Sequence, residues 1–218
     1  MSDADAKEQL FARIADTGGT RLSAQLRFIV EIDQLKTIIR QTPLIDLSRR
    51  ENDAEHSWHL AMMAMVLADF AAPEVDVLRA IRMLLVHDIV EIDAGDTFLY
   101  DATAAADQEA REEKAADRIF GLLPEPDGAE LRALWDEFEA HQSADAHFAR
   151  AMDRLQPFLH NIFTGGVMWQ KHGVTENQVR TRMRTIADGS AELHALVEKL
   201  IGEAVSRGYL AAGGPVST

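Results

Sequence analysis

The chain has 218 residues, 47% of them hydrophobic, no cysteine and a formal net charge of −14. That length suits one domain with a small appendage and a sizeable core, and the missing cysteines exclude a disulfide framework and a thiolate metal site. The acidity argues against a nucleic-acid polymer as partner, because it repels a phosphate backbone. A small anionic substrate stays open, since a bound cation and a few arginines can reverse the local field. No uninterrupted apolar run approaches the roughly 18 residues that a bilayer span needs. The first seven residues are acidic and polar, with no apolar signal region behind them. A cytoplasmic protein with no membrane partner is expected.

Helical periodicity dominates and no stretch alternates convincingly, so the expected class is all-α. Residues 6–15 read as a short amphipathic helix ended by Thr17-Gly18-Gly19, and residues 1–20 as an accessory arm. Residues 21–40 read as a helix with Leu22, Leu26, Ile29, Ile32, Leu35 and Ile39 on one stripe, stopped at Thr42-Pro43, with a loop over 43–51. Asn52 and Glu55 form a capping-box pattern that opens a helix through Phe70. Residues 75–92 read as one apolar helix closed by Gly95 as a left-handed cap. Helices follow over 104–123 and 128–140. Another, capped by Ser143, contains Asp153 and is kinked near Pro157. Thr175 and Gln178 suggest a second capping box for a helix to Ala187, and Ser190 caps a last helix to Arg207. The expected domain is 21–208, with 209–218 as a disordered tail.

The chemistry centres on His87-Asp88 near the end of an apolar helix. Imidazole nitrogen and carboxylate oxygen suit Mn, Fe, Co, Ni or Zn. Alone the pair is a weak signal, and a polar helix end is its ordinary reading. His56, 31 residues earlier, opens a different helix, and Asp153, 65 residues after Asp88, interrupts an amphipathic one. A carboxylate facing a core needs an ionic partner or a metal; otherwise Asp153 is a solvated residue beside Arg150 and Arg154. Glu91 lies one turn beyond His87 and Asp88 on the same helix face. His59 reads as structural, His160 is left out of the ligand set, and Met62, Met63 and Met65 read as core packing.

The pattern His56, His87-Asp88, Asp153, all on helices, resembles the signature of the HD-domain phosphohydrolases. Glu55-His56-Ser57 and the run His87-Asp88-Ile-Val-Glu91-Ile-Asp-Ala-Gly95-Asp96 resemble the branch containing the 5′-deoxynucleotidases. The resemblance covers roughly residues 25–200. It implies a single helical bundle with one divalent ion (Mn, Co, Fe, Ni, Zn or Mg) held by His56, His87, Asp88 and Asp153. The implied reaction is hydrolysis of a small phosphorylated substrate, best matched by a (deoxy)nucleoside 5′-monophosphate. Glu91 matches the family's acid/base residue, Asp96 the aspartate near sugar and attacking water, and Arg40 the phosphate-binding arginine. In that branch a tryptophan accompanies the arginine, whereas Arg40-Gln41-Thr42-Pro43 contains none. Trp58 points away from His56 and reads as core or interface. A homodimer is also implied. A non-nucleotide phosphoester substrate and a non-catalytic ligand-binding module are the alternatives.

Overall fold

The structure, a computed structural model, describes residues 3–95 and 108–213. It is all-α apart from one small hairpin. Two N-terminal helices, α1 (Asp3–Gly18) and α2 (Thr20–Ile32), are joined at Gly19. Gly19 has a positive φ of 88°, a conformation that glycine adopts at little cost. The arm is tied down: Phe11 is buried, Ser23 Oγ donates to its carbonyl at 2.9 Å, and Arg27 stacks on its ring while pairing with Glu8.

The helix expected over 21–40 stops at Ile32. A 3₁₀ turn (Asp33–Thr37) leads into strand β1 (Ile39–Pro43), which pairs antiparallel with β2 (Arg50–Asn52). Arg40 therefore sits on a strand. Strands of three to five residues are too short to display an alternation, and Asp46 closes the connecting loop by accepting from Ser48 N and Oγ.

Helix α3 (Asp53–Val66) starts at the expected capping box. Asn52 Oδ1 accepts from Glu55 N at 3.0 Å, and Asn52 N donates back to Glu55 Oε2 at 3.1 Å. The helix expected over 75–92 is broken. Helix α4 (Val77–Val86), capped by Asp76, gives way to a turn over 87–90, and a short α5 (Glu91–Ala94) follows. Ile89 N bonds Val86 O and Glu91 N bonds Asp88 O, so the spacing tightens from i+4 to i+3 where the polar residues lie. Gly95 then takes φ 78°, ψ 140°, a positive φ but not the left-handed helical cap expected.

Helices α6 (Gln108–Phe120) and α7 (Asp127–Ala140) precede the central α8 (Ala144–Phe163), which Ser143 caps. Helix α8 buries Phe148, Ala149, Met152, Leu155 and Phe158 and packs against α3, α4 and α7. It runs past Pro157, whose missing N–H deprives the Asp153 carbonyl of its helical donor. A short α9 (Val167–Lys171) follows, and the expected 176–187 helix is two pieces, α10 (Glu176–Met183) and α11 (Ile186–Gly189). Gly189 rests on the His147 carbonyl, where a Cβ would collide, so α11 lies directly against α8. Helix α12 (Ala191–Ser206) closes the bundle. Of the tail expected over 209–218, the first residues pack on the bundle and 214–218 lie outside the described residues: Leu210 is buried, and Ala211 bridges Thr175, whose neighbour Glu176 donates to the Ala211 carbonyl. No helix among the described residues is long and apolar enough to cross a membrane.

Because Asn52 fixes the first turn of α3, Asn52→Ala should cost about 1 kcal/mol of stability. Urea unfolding should show a lower midpoint with an unchanged slope. An unshifted midpoint would mean that the cap is redundant with the hairpin.

Candidate metal centre

Three elements converge on one buried point. The first turn of α3 supplies His56, the tight turn after α4 supplies His87 and Asp88, and the middle of α8 supplies Asp153. All four are buried. One ligand-type atom each of His56, His87 and Asp88 lies within 4.8 Å of the others. Asp153 Oδ1 stands 3.2 Å from His56 Nε2 and 3.9 Å from His87 Nε2. The sequence-expected quartet is thus brought together.

The surroundings orient these atoms. The His87 ring contacts the Leu84 carbonyl through Nδ1 at 2.8 Å, which assigns the proton to Nδ1 and leaves Nε2 as an acceptor. That Nε2 is buried without a hydrogen-bond partner, 3.1 Å from Asp88 Oδ1. Two electron-rich atoms this close, facing each other without a proton between them, match a site for a shared cation. His56 Nδ1 faces Glu51 Oε1 of β2 at 3.5 Å. Glu51 accepts from Gln156 Nε2 at 2.8 Å, and Gln156 contacts His59 and His160. His59 and His160 therefore stand behind His56 and steady its carboxylate partner. Arg40 Nη1 donates to Asp53 at 2.8 Å and to Asp88 Oδ2 at 2.7 Å.

Electrostatics point the same way. Burial and the Arg40 charge push the His56 imidazole down, but Asp153, Glu51 and Asp88 outweigh them and lift it to about 9. Burial raises Asp153, yet Arg154, His56 and His87 hold it well below the ordinary carboxylate range. Burial keeps His87 low, against the pull of Asp88 and Asp153. The pocket demands positive charge, and with protein atoms alone a proton on His56 answers that demand. Two neutral imidazoles and two carboxylates fit a divalent ion better, since the ion serves all four donors at once.

One side of the cluster opens into a cleft of about 680 Å³. Arg40, Asp88, Glu91 and Asp153 reach it, so the structure also brings Arg40 and Glu91 to the site. Glu91 is buried one tight turn after Asp88. The i+3 bond from Glu91 N to the Asp88 carbonyl sets Glu91 one tight turn after Asp88, and His87, Asp88 and Glu91 all line the cleft. Asp96 lies outside the described residues. The cleft walls include Trp135, Phe138, Phe158 and Trp169, with Arg150, Arg154 and Glu139 beside them. Burial, with Glu112 and Asp153 nearby, pushes the Glu139 carboxyl up to about 7 against the pull of Arg150. Sequence spacing offered no route to Trp135, Trp169, Glu51 or Gln156, which tertiary packing alone gathers. Trp58 is 63% exposed on the outer face of α3 and lines no part of the cleft.

A helical bundle with a buried His-His-Asp cluster beneath a cleft defines the class. The chain belongs to the HD-domain family, whose model matches residues 32–194. It is 58% identical to a predicted metal-dependent phosphohydrolase from Magnetospirillum magnetotacticum MS-1. That crystal structure superposes with a TM-score of 0.86, over 89% of this chain and 98% of the other. A conserved hypothetical protein from Pyrococcus furiosus, 19% identical, shares the fold with a TM-score of 0.56, over 83% of this chain and 99% of that one. The human 5′-deoxynucleotidase HDDC2 is 34% identical over 135 residues, 62% of this chain. The match spans 65% of the human protein's length.

The raised His56 value sets a pH dependence for chelator-treated protein. A folded-state value of about 9 against roughly 6.5 unfolded stabilises the fold fully below about pH 6.5. That contribution is lost as pH rises through about 9. Urea unfolding of the chelated protein should show stability falling from pH 7 to 9 more steeply than in His56→Gln, and parallel pH profiles would contradict this.

Proposed function

We propose that the chain is a metal-dependent phosphohydrolase that releases phosphate from a small phosphomonoester, with a (deoxy)nucleoside 5′-monophosphate as substrate. The observation that carries this reading is the buried quartet, with unpartnered His87 Nε2, beneath a cleft large enough for such a ligand. The names of the human and magnetotactic relatives support it. His56, His87, Asp88 and Asp153 hold one divalent ion, with Mn, Co, Fe, Ni, Zn and Mg all compatible with the donors. When bound, such an ion lowers the pKa of water and polarises a phosphoryl oxygen.

The protein's own residues do the rest. Glu91, one tight turn after Asp88, orients the attacking water and accepts its proton. Asp96, one residue past Gly95, contributes near the sugar and the water. Arg40 holds Asp88 in place and faces the phosphoryl group across the cleft. Trp135 and Trp169, buried with Arg132 over one ring and Phe158 beside the other, give the cleft wall an apolar backing, where the sequence lacks a tryptophan beside Arg40. Residues 21–208 form the catalytic unit and residues 1–20 its arm. We read the protein as cytoplasmic, with neither membrane nor nucleic-acid polymer as partner, and as a homodimer. The dimer reading is supported by α3, which has no Asp, Glu, Lys or Arg from His56 to Val66 and leaves Trp58, Met65 and Val66 exposed. An uncharged face is where two copies of a chain with net charge −14 can meet without repulsion.

A phosphate-release screen over nucleoside monophosphates and generic phosphoesters, run with metal analysis, tests the reading. Asp88→Ala should lose both metal and turnover. Glu91→Ala should keep metal and fold yet lose roughly 10²- to 10⁴-fold in rate, the usual range for a positioned acid or base. Near-wild-type turnover of Glu91→Ala would transfer the proton to Asp96. No release from any phosphomonoester by metal-loaded protein would overturn the enzymatic reading.

A further inference from the structure

We infer that Arg150 is a phosphoryl-oxygen clamp, a second anion-binding arginine in the cleft that Arg40 also lines. The inference rests on the phosphohydrolase reading and adds a residue to it.

A substrate dianion entering this cleft meets mostly negative charge. Arg40, the arginine expected to receive it, already has Nη1 engaged by Asp53 and Asp88 and has Glu51 3.8 Å from Nε. Arg154 stands 3.3 Å from Asp153 Oδ2, and Arg182 is exposed. Arg150 differs from all three. Its side chain is only 14% exposed, its Nε is buried without a hydrogen-bond partner, and its nearest carboxylate, Glu139, is 3.8 Å away, beyond hydrogen-bond reach. Glu139 is only partly ionised near neutral pH, so it offsets only part of that charge.

A guanidinium whose Nε is held out of water without an acceptor is costly unless a ligand completes it. Its position suits that ligand. Arg150 lies three residues before Asp153 on α8, so the two share a helix face, with Cβ atoms about 5–6 Å apart. The guanidinium sits 5.0 Å over the Phe138 ring, and that ring stands 4.9 Å from the His87 ring. The stack fixes the fork beside the cluster at little entropic cost, and a planar fork matches two phosphoryl oxygens.

Inorganic phosphate is the probe, titrated by calorimetry into the full-length protein loaded with manganese, with metal content checked for every variant. Arg150→Met should bind phosphate at least about 10-fold more weakly than wild type at unchanged metal content, the scale of a lost charge-assisted hydrogen bond. Arg150→Lys should recover only part of that affinity, because charge returns without the fork. Glu139→Gln should tighten phosphate binding by removing the competing carboxylate, which keeps the inference testable if Arg150→Met fails to fold. Phosphate affinity unchanged in Arg150→Lys and Glu139→Gln, or in a folded Arg150→Met, would overturn the clamp, as would a wild type that binds no phosphate. Phosphate binding that depends on Arg150, in a protein that hydrolyses no phosphoester, would leave the clamp standing and remove the enzymatic reading.

Discussion

Buried negative charge is the constraint on which this structure turns. Glu51, Asp53, Asp88 and Asp153 lie together out of water, around one guanidinium and two imidazoles. Carboxylates this close repel, and in a weakly polar interior the repulsion is screened far less than at the surface. Arg40 offsets part of it by bonding Asp53 and Asp88 and standing 3.8 Å from Glu51. The high His56 value is the remainder expressed as proton affinity. A cation at the quartet would relieve the cluster, and the same need makes the cluster a chemical site and not a stable core in its own right.

The fold serves that constraint by delivering each charge from a rigid element. The capping box sets the first turn of α3 and hence His56. The hairpin places Arg40 and Glu51 on paired strands, so the guanidinium and the carboxylate behind His56 move as one unit. Helix α4 ends in a tight turn that carries His87 and Asp88 beside the cluster, with His87 Nε2 3.1 Å from Asp88 Oδ1. Helix α8, the most buried element, carries Asp153 on the face that also bears Arg150. Apolar packing pays for this arrangement: Leu60, Met83, Leu84, Phe148 and Met152 surround the polar centre with close-packed side chains.

Much of this was legible in the sequence, for physical reasons that differ by element. Long helices announce themselves through an apolar stripe and caps, so α7, α8 and α12 stand where the pattern puts them and α3 starts at its expected cap, though it ends at Val66, before a 3₁₀ turn over Ala68–Phe70. The quartet was legible because the order His56, His87-Asp88, Asp153 resembles the HD-domain signature, whereas His87-Asp88 alone reads as a polar helix end. The break after Val86 was not legible, because Ile89, Val90 and Ile92 continue the apolar pattern while the backbone tightens to 3₁₀ spacing. The hairpin escaped notice because its strands are only five and three residues long. Glu51 and Gln156 carry no local signal. A buried glutamate before a capping Asn looks like any surface residue until Gln156, 105 positions away, is folded against it.

The central claim is that one ion occupies the point where His56, His87, Asp88 and Asp153 meet. Anomalous diffraction from crystals grown with manganese tests it most directly. The account predicts one strong peak within about 2.0–2.3 Å of a nitrogen of each histidine and an oxygen of each aspartate. A peak elsewhere in the cleft, or none at the quartet with the ion in excess, would contradict it.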